Sequence, residues 1–129
     1  MQQIMLDTNA LIALSDPTDN LFRILEESLK AGARALSCSV AWHEYVRGPL
    51  LDGDRERALR VVESRILPLE RRHADTAADL FNKTVRRRGS TADCMIAAVA
   101  MAQDAVLLTR NVSDFMKFEA YGLGLVALS

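Results

Sequence analysis

Asp7, Glu44, Asp93 and Asp114 stand where a carboxylate can do more than solvate a surface. Asp7 ends the apolar run Ile4-Met5-Leu6, which is long enough only for a buried strand. Asp114 closely follows another such run, Ala105 to Thr109, and Glu44 and Asp93 lie on stretches apolar enough to press against a sheet. In open α/β sheets, sites are built beyond the carboxyl ends of the strands. Taken singly, each acid has an ordinary explanation. Asp7 is a good helix N-cap, and Asp93 sits in a first turn with Ser90 at capping-box spacing. Asn111 and Asp114 repeat that spacing, and Glu44 could be a solvated glutamate on an amphipathic helix.

Brought together, the acids would need a cation. Arg47 and Arg110 are nearby in the chain but could neutralise only part of four carboxylates. Two bare carboxylates about 4 Å apart repel by roughly 4 kcal/mol at an effective dielectric near 20, a large share of a small domain's stability. Oxygen donors without a histidine or cysteine set suit Mg²⁺ or Mn²⁺ better than zinc. Such an ion activates a water and stabilises charge growing on a phosphoryl oxygen, so hydrolysis of a phosphodiester is the expected reaction class. The Thr8 and Thr109 hydroxyls either bind the ion's outer waters or the scissile phosphate, or simply finish strands.

The elements that must position these acids alternate in type. After the first strand comes a short helix, Ala10 to Leu14, broken at Pro17, and then a helix carrying Leu21, Ile24, Leu25 and Leu29 that closes at Gly32. Ala35 to Ser39 reads as a strand and Val40 to Val46 as a helix. The spacing predicts helices over Asp54 to Ile66 and Glu70 to Arg88, ended by Pro68 and Gly89. Ala92 to Gln103 lacks a polar face and must be buried. Ala105 to Thr109, a one-turn helix from Asn111 through Lys117, and a final strand over Leu123 to Leu128 complete the chain. Strands of continuous rather than alternating apolarity argue an α/β fold, a central parallel sheet of four to five strands with helices on both faces.

The 129 residues suit one domain spanning 1–129, and half of them are hydrophobic, which excludes wholesale disorder. No apolar run approaches a membrane span and Met1-Gln2-Gln3 lacks a basic leader, so the expectation is a cytoplasmic protein without membrane contact. Cys38 and Cys94 match no metal spacing and read as small buried hydrophobes. A net charge of -1 gives no global pull on nucleic acid, leaving local patches or the metal to bind it.

Four blocks match, in order and spacing, the acidic blocks of the PIN domain: IMLDTNALI around Asp7, AWHEYVRG around Glu44, STADCMIAAVA around Asp93 and LLTRNVSDF ending just after Asp114. The chain most resembles the VapC-type toxins of toxin–antitoxin pairs. That resemblance places Asp7, Glu44, Asp93 and Asp114 on the family's catalytic, metal-holding positions, with Thr8, Asn9, Thr109 and Asn111 supporting them. It implies a single PIN-like domain and a Mg²⁺-dependent endoribonuclease, with Mn²⁺ as a substitute. It further implies a homodimer silenced by a VapB-like antitoxin and acting on a structured RNA such as tRNA, rRNA or mRNA. Trp42 and His43 depart from the commonest pattern before the second acid.

His43 neighbours Glu44 on a helix and therefore projects about 100° from it, which argues against a general base. Trp42 reads as a core or partner-facing aromatic. The basic run Arg86-Arg87-Arg88 either completes a helix C-terminus or grips RNA phosphate. Leu11, Leu14, Trp42, Val46, Leu50 and Leu51 are candidates for an antitoxin clamp. Three alternatives stand beside the toxin reading: a PIN-fold RNA-processing nuclease outside any such pair, a receiver-like phosphoacceptor domain, and a binding module that keeps the fold without chemistry, which the presence of all four acids argues against. The second needs an acid pair after the first strand, where Asp7 stands alone.

Overall fold

The computed structural model describes residues 2–84 and 90–128. Five parallel strands form one sheet in the order β3-β2-β1-β4-β5. Beyond Gln3 and Arg34 at their starts, the central strands β1 (Gln3–Leu6), β2 (Arg34–Cys38) and β4 (Val106–Leu108) are apolar except at Ser37, whose buried hydroxyl donates to the Leu6 carbonyl, as befits strands covered on both faces. Met5 pairs with Leu36 on one side and Leu107 on the other. From β1 the chain moves outward through α1 (Thr8–Ala13) and α2 (Asn20–Lys30) to β2, then through α3 (Ser39–Val46) and α4 (Asp54–Val61) to β3 (Ile66–Leu67). It then crosses beyond β1, by α5 (Arg71–Lys83) and α6 (Thr91–Ala102), to β4. By the right-handed rule for such crossovers, connections running in opposite directions carry these helix sets on opposite faces of the sheet, and α3 also reaches α6. The order of travel reverses between β1 and β4, and that reversal opens a crevice at their carboxyl ends.

Several elements differ from the sequence reading. The periodicity of Ala58, Leu59, Val62 and Ile66 suggests one helix, yet α4 stops at Val61. Glu63 and Ser64 both take positive φ, turning the chain so that Ile66 and Leu67 pair with Ser37 and Cys38 as an edge strand. Apolar residues at i and i+4 serve a strand equally well when a turn falls between them. The last strand is also shorter: β5 is only Gly124–Leu125, with the Val126 N–H still donating to the Leu107 carbonyl. Between β4 and β5 run α7 (Val112–Phe115) and a 3-10 segment, Met116–Tyr121.

The ends of α2 and α5 also bear on the sequence reading. Gly32, at φ +102, lets the Ala33 N–H reach back to the Ser28 carbonyl and close α2. α5 ends at Lys83 with Thr84 extended, short of the expected Arg88. Val85 to Gly89 lie outside the described residues, and Arg86, Arg87 and Arg88 with them. Cys38 and Cys94 are buried and free. Among the described residues no helix is long and apolar enough to cross a membrane.

Candidate active site

Asp7 is the first residue beyond β1, its N–H still donating to the Leu108 carbonyl of β4, so it sits at the crevice. Its capping role is realised: Oδ1 accepts from the Ala10 N–H at 3.0 Å. The side chain is 4% exposed, and burial raises its pKa. Hydrogen bonds from the Thr109 hydroxyl and from the Ala10 and Asn9 N–H groups work against that rise, while Glu44 adds to it. Thr109 is buried beyond β4, and its Oγ1 also accepts from the Asn111 N–H at 3.0 Å. This links the loop that leads into α7 to the Asp7 carboxylate.

Glu44 comes from the opposite direction, on α3, which leaves β2 without a connecting loop. The Thr8 hydroxyl donates to Glu44 Oε1 at 2.8 Å, and Arg47 stands 3.9 Å from Oε2. Thr8 therefore orients a carboxylate. The other candidate cation, Arg110, is committed to Asp19 at 2.5 Å.

Asp93 lies in the first turn of α6, half-buried, and its pKa is pushed from 3.8 to about 6. Burial is the largest cause, Asp114 the next, with Glu44 and Asp7 adding to the rise and Lys117 opposing it. Asp93 thus feels the charge of the other three acids, and Asp7 that of Glu44. Asp114 is carried by α7, anchored by the fully buried Phe115 and Phe118, whose rings meet edge-on at 6.1 Å. Lys117 is a residue that sequence reasoning passed over. Its only signal was a spacing three residues past Asp114.

The expected capping box at α6 does not form. Ser90 makes no side-chain bond to the helix backbone, and its hydroxyl bonds Cys94 instead. Among the described residues, no three histidine, cysteine, aspartate or glutamate side chains stand close enough to hold a metal ion as they are. The donor chemistry fits a hard divalent cation, being all oxygen and short of positive charge. What the fold supplies is a shared acidic field rather than a closed cage.

A groove of about 530 Å³ runs between α3 and α6, lined by His43, Glu44 and Arg47 on one side and Thr91, Ala92 and Met95 on the other. His43 is exposed and shares this groove with Glu44 despite the angle between neighbouring helix positions. Trp42 is partly buried against the core, 5.5 Å from the Tyr45 ring. The expected clamp does not hold as a unit, because Leu11 and Leu14 are core residues, whereas Leu51 is 77% exposed.

A family model described as "PIN domain" matches residues 4–118. The chain belongs to the PIN domain family. Solved structures share this PIN fold at low identity. FitAcB from Neisseria gonorrhoeae superposes with a TM-score of 0.72 at 23% identity, covering 97% of each chain. VapBC2 from Rickettsia felis, bound to a promoter DNA fragment, gives 0.71 at 21%, covering 97% of this chain and 98% of its own. DNA-bound VapBC from Salmonella typhimurium gives 0.67 at 23%, covering all of both chains. No curated protein matches the sequence. A receiver domain is excluded, since that fold runs 2-1-3-4-5, whereas this PIN sheet runs 3-2-1-4-5.

Proposed function

We propose that this chain is a Mg²⁺- or Mn²⁺-dependent endoribonuclease, the toxin of a type II toxin–antitoxin pair. What supports the nuclease reading, beside the PIN family match, is that Asp7, Glu44 and Asp114, carried by separate elements, all act to raise the pKa of Asp93. Asp7, Asp93, Glu44 and Asp114 would hold the ion, which when bound offsets their repulsion and supplies the Lewis acidity that phosphodiester hydrolysis needs. The chain's own contributions are positional. Thr8 fixes the Glu44 carboxylate, and Thr109 donates to Asp7 while receiving the Asn111 N–H. Asn9 adds a backbone donor to Asp7. The toxin role draws support from neighbours whose names describe VapBC and FitAB complexes, including a Klebsiella pneumoniae toxin–antitoxin complex. By the same analogy the partner is a VapB-like antitoxin, the toxin is a homodimer, and it works in the cytoplasm on tRNA, rRNA or mRNA.

The test is Asp93→Asn in protein freed of any partner. With Mn²⁺ the parent should cleave RNA, and the variant should lose at least a hundredfold while keeping its circular dichroism. Equal cleavage by both proteins would remove Asp93 from the site.

A further inference from the structure

The groove between α3 and α6 meets the acidic crevice at Glu44, which borders both. Glu44 is the one acid among the groove's lining residues. Val40, Leu69 and Met95 give it an apolar lining, while Arg47 and His43 are exposed on the α3 side. Arg47 approaches Glu44 only to 3.9 Å, beyond hydrogen-bonding distance, and its side chain is 63% exposed. Its guanidinium therefore keeps its donor fork for another anion, and that fork matches a phosphate. At about 530 Å³ the groove falls within the range of small-ligand sites.

An acid, a cation and apolar side chains lining one groove suit a nucleotide lying beside a scissile phosphate. We infer that this groove holds the RNA nucleotide adjacent to the cut, with Arg47 on its phosphate and its base against Val40, Leu69 and Met95, where His43 stacks or hydrogen-bonds at the edge. Unstacked RNA bases stack on histidine rings and arginine planes, and a thioether sulfur packs favourably against an aromatic ring. The inference rests on the nuclease reading and assigns substrate selection to residues outside the acidic quartet.

Partner-free protein supplied with Mn²⁺ is given RNA oligonucleotides randomised in sequence, and the cut ends are sequenced. Arg47→Ala should raise KM roughly tenfold with kcat within about twofold. Arg47→Lys, which keeps the charge beside Glu44 but loses the fork, should recover only part of the KM. Leu69→Trp, which narrows the groove, should change base preference on one side of the cut. Should Leu69→Trp fail to fold, the exposed Arg47 variants still decide. Parent cleavage with unaltered KM and base preference in all folded variants overturns the groove and leaves the nuclease reading intact. Independently, Asp93→Asn in chelator is titrated with a short RNA, followed by fluorescence of Trp42, the chain's one tryptophan. Adding Arg47→Ala should weaken that binding roughly tenfold. If the parent cleaves no RNA, the nuclease reading falls; unchanged binding in this second assay then overturns the groove as well.

Discussion

The hydroxyl of Thr8 donates to Oε1 of Glu44 at 2.8 Å across 36 positions of sequence. The residue next to Asp7 thereby sets the orientation of the second acid, joining the start of α1 to the middle of α3. Thr8→Val removes the donor at nearly constant volume. We expect a ten- to hundredfold loss of RNA cleavage, the usual effect of removing a partner that orients a metal-binding side chain. Stability should fall by only about 1 kcal/mol. Steady-state kinetics beside thermal melts separate the two, and a variant of full activity would reduce Thr8 to a helix-start residue.

Asp93 gives a pH dependence of defined sign. Because its folded pKa is raised from 3.8 to about 6, the folded state binds the proton more tightly than the unfolded state between those values. The stability it contributes is present at the acid end and is lost as pH rises towards 6. In chelator, Asp93→Asn should therefore melt above the parent at pH 7 and lose that advantage near pH 4. The gain at neutral pH should be on the order of 1 kcal/mol, after discounting for solvent screening of a half-buried group. A melting difference that is flat across the range would contradict the shift.

Metal should reverse that order. A cation bound only by the folded state stabilises it by about 2.7 kcal/mol at a hundred times its Kd. Millimolar Mn²⁺ should raise the parent's Tm at pH 7 by several degrees and raise Asp93→Asn far less. Identical shifts in both proteins would mean that the ion binds elsewhere.

Phe115 anchors α7, and so Asp114, by packing edge-on against Phe118. Phe115→Ala should cost about 3–5 kcal/mol, the range for truncating a buried phenylalanine. Denaturant titration measures it. A loss below about 1 kcal/mol would show that α7 is held by something other than this ring pair.

Much of the molecule is legible in the residues themselves. Continuous apolar runs ending at Asp7 and Thr109 specify buried parallel strands and put polar groups at their carboxyl ends, because a strand covered on both faces can turn polar only where it leaves the sheet. Spacing also identified the helices, because an amphipathic or wholly buried face must repeat with the helical turn. Other features depended on contacts between distant segments. Ile66 and Leu67 become a strand because left-handed backbone at Glu63 and Ser64 delivers them to the edge of β2, which no local periodicity encodes. The same holds for Arg110 turning to Asp19, Ser90 to Cys94, and His43 sharing a groove with Glu44. Residue types and order determine which groups carry charge. How far burial and neighbouring acids shift a carboxyl such as Asp93 is decided only when the fold removes its water and brings the others near.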